Sequence, residues 1–455
     1  MGESHLHPLD HERERLTRHC KLPLHSGLAT IGRFAPMDKN HPIAKLVEEF
    51  KKHSPPTPNI TELQLDASFV IPETGDCLIL LRGPAGIGLT RNFGEQLTII
   101  GECPNGPFRF ECPQFYVDAA GNDGKTSSWA IAKAINAPAT ITYGESRPIA
   151  RAAGIINNFD FESGNIATGE GNSLGKRVLR VQAAGHAVDF KWRDDYEERR
   201  LLLRIGVLRS AALCEFSFDA WEGVSETELS TFAYNIAGLC SLVARQHTRI
   251  SVLTFSDQLG RPIKRMLGNV LESRFRDDYI LRFLHLDRGL PQLFTQCFEE
   301  YAKIMTSELW RRLPAYCAAI DDAPYLEQRC ATLMAGLELL LRSSLAEANC
   351  ASKKQLDKMK FSELLGAARK KLGWQIPGHY TAKERARLLR NAVSHGGPLP
   401  QAPAQVVHDL QKWSLFLMRR LLIRLGFNGR VASPERGYNG SSEVDDFSEE
   451  HNSFE

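Results

Sequence analysis

Hydrophobic positions along this 455-residue chain change their spacing three times. Met1 to about Pro58 is polar and broken by prolines, and Ser54-Pro55-Pro56-Thr57-Pro58 reads as a connector. Only Pro42 to Lys52 has the pattern of a short amphipathic helix. From Glu62 to about Phe190 the apolar residues fall in short or alternating runs separated by glycines: Ala67 to Ile71, Cys77 to Arg82, Gln96 to Gly101, Phe108 to Cys112, Thr140 to Tyr143 and Val178 to Gln182. With no helix-length period between them, these runs predict a mainly β domain, sandwich or barrel-like. Tyr196 to about Glu272 mixes both periods. Leu201 to Leu208, Ala212 to Phe218 and Ile250 to Phe255 suit strands, and Ser225-Glu226-Thr227-Glu228 is a capping box opening a helix that runs to about Arg245.

After Gly289 the period is helical throughout. The predicted helices are Leu290 to Arg312, Ala323 to Leu345, Lys353 to Leu372, Thr381 to His395 and Ala402 to Leu425. Short connections between them imply an antiparallel bundle. The fold class expected is therefore α+β, a β-rich N-terminal domain followed by an all-α bundle. The domain boundaries expected are 1–58 for the polar segment, 59–288 for the β-rich domain, 289–427 for the bundle and 428–455 for a Gly/Ser-rich acidic tail too poor in apolar residues to pack.

Charge sharpens this picture. The net charge of +2 is uninformative, but Ala351 to Arg430 holds sixteen Lys or Arg against four acidic residues, and Val431 to Glu455 holds seven acidic residues against Arg436. A fourfold excess of one sign within one domain favours a nucleic-acid partner over a merely solvated set of helix faces. The acidic tail beside it either competes with RNA phosphates for that surface or simply solubilises the chain. Ten cysteines are scattered without a CxxC pair, so neither a zinc knuckle nor a redox motif is expected, and most should be reduced core residues. The charged run His11-Glu12-Arg13-Glu14-Arg15 leaves no apolar core for a signal peptide, and no apolar run has the length of a membrane span, so a cytoplasmic protein is expected.

Two stretches carry candidate chemistry. Gly83-Pro84-Ala85-Gly86-Ile87-Gly88-Leu89-Thr90 follows an apolar run like a phosphate-binding loop. Leu89, however, stands where the phosphate-binding lysine belongs, and a strand rather than a helix should follow, so it reads as a glycine-rich β-turn region. Arg390-Asn391-Ala392-Val393-Ser394-His395 precedes Gly-Gly-Pro, which no helix runs through. His395 should then sit in the last turn of a helix, where the carbonyl end favours imidazolium, beside a permanently charged arginine. A titrating proton carrier next to a fixed cation suits phosphodiester cleavage. The bare spacing also occurs at Arg13 to His19, Arg18 to His25 and Arg180 to His186, but only the C-terminal copy has Asn after the arginine and a helix-then-glycine context.

In that context the stretch resembles the nuclease motif of the HEPN superfamily, an Arg, four to six residues, then His, in an all-helical C-terminal domain. With its β-rich N-terminal half the chain looks most like the ApeA-type anti-phage HEPN proteins. The resemblance covers roughly Leu290 to Phe427, while in the N-terminal half it rests on general β character and on runs such as Glu95 to Ile100 before Gly101. It implies a metal-independent endoribonuclease without cofactor, with Arg390, Asn391 and His395 at the site and Lys383, Arg385 and Arg387 on RNA. Ala335 to Leu341 resembles the apolar helix whose glutamate faces the catalytic helix, which makes Glu338 either an orienting residue or a structural salt-bridge partner. The resemblance further implies a homodimer that brings two motifs into one cleft, and a phage-derived trigger sensed by the N-terminal domain. Five residues on a regular helix separate Arg390 and His395 by about 140°, so the helix end is distorted or the cleft is shared. A non-catalytic module binding RNA or protein is the rival reading.

Overall fold

The structure is a computed structural model. It describes the strands between residues 26 and 157, and otherwise residues 138–161, 178–268, 283–376, 403–432 and 441–445 with isolated exceptions, together with residue 391. The chain is α+β and divides into two compact units, one of residues 1–155 and 250–271, the other of residues 156–249 and 272–455. The single cut at 288 suggested by composition differs from this division. Residues 156–249, which the expected 59–288 domain includes, cluster instead with the C-terminal helices.

The first unit is a run of antiparallel strands: β1 (Ser26–Ile31), β2 (Leu63–Val70), β3 (Leu78–Pro84), β4 (Ile99–Glu102), β5 (Phe108–Cys112), β6 (Phe115–Asp123), β7 (Ser127–Ala134) and β8 (Ala139–Tyr143), with β9 (Arg151–Asn157), β13 (Arg249–Ser256) and β14 (Pro262–Leu267). Their order is β9-β13-β14-β8-β5-β4-β1-β2-β3-β7-β6. Consecutive strands pair directly in β2–β3 and β6–β7, with Phe69 opposite Ile79 and Gly121 opposite Trp129. One extra residue between Val117 and Ala119 bulges β6. The first two residues of the suspected phosphate loop, Gly83 and Pro84, end β3 opposite Ser128 and Ser127; Ala85 to Thr90 lie outside the described residues. The helix expected over Pro42 to Lys52 lies outside them too. Inside the unit, Asp257 draws Arg147 and Arg261 to the β13–β14 turn. Burial opposes ionisation of Asp257, yet the hydrogen bonds from Arg261 and Leu259 hold its carboxyl below the usual range.

In the second unit β10 (Val178–Ala183), β11 (His186–Trp192) and β12 (Ala212–Asp219) form an antiparallel sheet. Its core is aromatic. Phe190 of β11 meets Phe294 of α3 (Phe283–Thr306) with ring centroids 5.6 Å apart, and Phe232 of α2 (Glu226–Ala244) meets Phe298 of α3 at 4.7 Å. Rings of this size each contribute about 1.5–3 kcal/mol through burial, before entropy is charged against them. The capping box forms as its sequence predicts: Ser225 Oγ accepts from the Glu228 amide at 3.2 Å, and Glu228 accepts from the Ser225 amide at 2.8 Å. Within α2, Gly238 admits α3, because a Cβ there would lie 2.1 Å from Tyr301 Oη.

The strand expected over Leu201 to Leu208 is a correction. Those residues lie largely in α1 (Tyr196–Arg204) and the turn after it. The helix starts with Glu197 and Glu198 in its first turn, where the macrodipole favours them, and Asp195 pairs with Arg199 at 2.6 Å. Its buried face mixes both kinds of residue. Arg199 and Arg200 are buried, as are Leu202 and Leu203, whereas Leu201 and Ile205 are 58% and 61% exposed. The apolar run therefore has neither the strand's period nor a single destination, which is why alternation misread it.

The remaining helices are α4 (Leu313–Asp322), α5 (Leu326–Glu347), α6 (Lys353–Lys358), α7 (Phe361–Leu372) and α8 (Pro403–Arg424). Of these, α4 occupies a stretch where the periodicity predicts no separate helix. The single helix expected over Lys353 to Leu372 is broken at Met359 and Lys360, both extended. The break is held in place: Arg342 donates to the Leu356 and Met359 carbonyls, and Glu363 accepts from the Lys360 amide at 2.7 Å. The tail also departs from expectation. α8 ends with Gly426 at φ +86° and the Phe427 amide bonded to the Leu422 carbonyl at 2.9 Å, a Schellman stop. Then β15 (Arg430–Ala432) and β16 (Ser441–Glu443) pair antiparallel. Val431 and Val444 are 1% and 2% exposed, and Gln292 and Gln296 of α3 clamp Asn428. Few apolar residues suffice here because they stand on one packed hairpin. The described part of the predicted disordered tail is thus ordered.

Candidate functional site

The helix bearing Glu338 is set by close packing. In α5, Gly336 lies where a Cβ would be 3.0 Å from Leu417 of α8 and 3.3 Å from Tyr316 of α4, so the absent side chain lets three helices approach. Two positions further on the same helix Glu338 is half-buried, and its carboxylate lies 3.9 Å from Arg342. Glu preceding Arg by four residues is the favourable order on a helix, although at this distance and exposure the pair contributes little. Arg342 spends its shorter contacts on the carbonyls at the α6–α7 break, so Glu338 is not its principal partner.

Of the motif itself, only Asn391 is among the described residues, where it is helical and half-buried. Arg390 and His395 lie outside them, as do Lys383, Arg385 and Arg387. The structure therefore brings none of these into a measured relation with Glu338.

The basic segment does not behave as one solvated face. Lys412 and Arg419 of α8 are buried, at 7% and 1% exposure. Arg424, held by Glu300 at 2.7 Å and Glu347 at 2.7 Å, stands over the Trp310 ring at 5.3 Å. Those pairings also hold the Glu300 carboxyl below the usual range, Arg424 being the chief cause. These cations serve the packing of α8. By contrast Lys353, Lys354, Lys358, Lys360, Arg369, Lys370 and Lys371 are all exposed. Beside the last of them Trp374 is half-buried, with the Arg420 guanidinium 4.7 Å from its ring centroid. Sequence reasoning placed RNA contacts further along, at Lys383 to Arg387, and passed over Trp374; the signal was an aromatic residue three positions after an Arg-Lys-Lys run.

Other titratable clusters are structural in arrangement. Asp321 of α4 is 3% exposed and paired with Arg245 at 2.6 Å and with Arg329. The next residue, Asp322, accepts from the His247 amide at 3.1 Å and lies 4.0 Å from its imidazole. Burial pushes the His247 pKa below its ordinary value, against the pull of Asp322 and with a smaller push from Arg249. The described cysteines are free thiols, and burial raises Cys297 to about 12 and Cys330 to about 11, out of the reactive range. Among the described residues no three His, Cys, Asp or Glu side chains are grouped to hold a metal ion, and no helix is long and apolar enough to cross a membrane. No family model, curated protein or solved structure matches the chain.

Proposed function

We propose that the chain is a metal-independent endoribonuclease of HEPN type, acting in the cytoplasm in anti-phage defence as a homodimer. The observation that carries the reading is the Arg390-Asn391-Ala392-Val393-Ser394-His395 run, whose one described residue is helical, within a unit rich in helices. In this reading His395 takes the proton of a ribose 2′-hydroxyl or gives one to the leaving 5′-oxygen. Arg390 offsets the added negative charge of the pentacoordinate phosphorus, and the products are a 2′,3′-cyclic phosphate and a 5′-hydroxyl. Asn391 holds the phosphate or orients His395, and Glu338 orients the motif from α5. Two-fold pairing of chains supplies the second histidine that acid and base together require. The N-terminal strands would receive a phage-derived trigger.

Incubating the full chain with single-stranded RNA in EDTA tests this reading. Cleavage should persist with chelator, yield cyclic-phosphate ends, and vanish in Arg390→Ala and His395→Ala while RNA binding remains. Cleavage that requires added magnesium, or survives His395→Ala, defeats it. The second reading, a non-catalytic RNA-binding module, draws on the exposed cations of α6 and α7, which need no catalytic motif; it predicts binding without cleavage in every variant.

A further inference from the structure

The exposed cations of α6 and α7 are separated in sequence into two groups, and one hydrogen bond joins the ends of the two helices. Lys371 Nζ donates to the Cys350 carbonyl at 2.6 Å, which brings the last turn of α7 beside the residues that open α6. Ser352 caps α6 there, its hydroxyl accepting from the Gln355 amide at 3.4 Å, and Lys353 and Lys354 follow at once. On the other side stand Arg369 and Lys370, in the turn that Gly373 closes at φ +67°. The Trp374 amide bonds back to the Ala368 carbonyl at 3.3 Å, which holds the backbone of Trp374 beside this same turn. Its ring is backed by Arg420 at 4.7 Å and set edge-on to Phe416 at 6.1 Å, yet remains partly open to solvent. Glu363 lies toward the opposite end of α7, and Asp357 stands one turn along the short α6 from Lys353 and Lys354, leaving the corner with a net positive charge.

We infer that this corner is a binding platform for single-stranded RNA, with Lys353, Lys354, Arg369 and Lys370 on successive phosphates and a base stacked at Trp374. The inference rests on the RNA-directed reading above and deepens it, since it names the surface that holds the strand. Closely spaced cations beside an aromatic ring match the two features of a single strand, its phosphate charge and its exposed base faces, whereas a duplex offers only the first. The backing guanidinium holds the indole in place by cation–π attraction.

The experiment measures fluorescence anisotropy of a short labelled RNA with the full chain carrying His395→Ala, so that the strand is not consumed. Neutralising Lys353, Lys354, Arg369 and Lys370 together to Gln should weaken binding and flatten the salt dependence by about 0.7 in log–log slope for each phosphate left without its cation. Trp374→Ala should weaken single-strand binding by roughly 5- to 100-fold, leave duplex binding nearly unchanged, and be partly restored by Trp374→Phe. An unchanged salt slope in the quadruple variant, or equal weakening for single strand and duplex in Trp374→Ala, overturns the inference. If the four-Gln and Trp374→Ala proteins bind as the parent does while the chain with His395 intact still cleaves RNA, the platform fails and the nuclease reading stands. If the parent binds no RNA, both fall.

Discussion

Arg200 Nε lies 3.2 Å from the carboxylate of Asp160, a residue with no solvent exposure at all, while Leu201, next in the chain, is 58% exposed. The Tyr196 hydroxyl donates to the same carboxylate at 2.8 Å, and the Tyr196 ring stacks on Trp192 at 4.3 Å. Helix α1 is thus oriented by a buried polar network together with the buried Leu202 and Leu203, and Leu201 is left outward. Replacing Asp160 by Leu would leave Arg200 buried beside an apolar group, which costs about 3–5 kcal/mol. A urea titration of the Asp160→Leu variant should show a lowered midpoint, whereas Leu201→Ser should leave stability within about 0.5 kcal/mol of the parent.

Glu338 has two roles open to it, and they separate by activity. As a positioning residue for the motif, its change to Gln should lower RNA cleavage by about tenfold or more with KM little altered and the folded state retained. As a partner of Arg342 alone, at 3.9 Å and partly exposed, the same change should leave cleavage intact and shift stability by less than about 1 kcal/mol. Single-turnover cleavage rates beside a melting curve for Glu338→Gln distinguish the two.

His247 sets part of the acid limb of stability. Burial depresses its pKa in the folded chain from the ordinary 6.5, so just below that pH the unfolded chain binds more protons than the folded one. Stability therefore falls as pH drops through 6.5 and stops falling from this source once the folded imidazole is itself protonated. The arrangement around it includes Asp322, which opposes the shift, and Arg249, which adds to it. His247→Gln should flatten the dependence of the urea midpoint on pH between about 7 and 5. An unchanged slope would mean that another group governs it.

The C-terminal hairpin predicts where the chain can be shortened. Ending it after Phe427 removes Val431 and Val444, both buried, and the Val444 amide bond to the Gly429 carbonyl at 3.0 Å. The loss should be about 2–4 kcal/mol after allowance for a compact unfolded state. Ending it after Asp445 keeps the paired strands with both valines and should retain that stabilisation; differential scanning calorimetry of the two truncations checks this.

What the sequence determined by itself is local. Phe108–Cys112 is a strand with the limits its alternation marks, Ser225 and Glu228 cap α2 reciprocally, and the helical period after Gly289 is realised in α3, α5, α7 and α8. These features depend on residues within a few positions of one another, so periodicity and capping chemistry suffice to read them. The candidate motif is likewise a local reading, a run of residue types at the end of a helical pattern, of which Asn391 alone is among the described residues. What only the tertiary structure decided depends on partners far along the chain. The turn of α1 that carries Arg200 inward and Leu201 outward follows from Asp160, and the break between α6 and α7 from Arg342. The ordered hairpin follows from the burial of Val431 and Val444, and the union of two basic groups with Trp374 from one hydrogen bond across 21 positions. A charged or apolar run states what a segment can bury or expose; which of the two it does is settled by the group that folding brings opposite it.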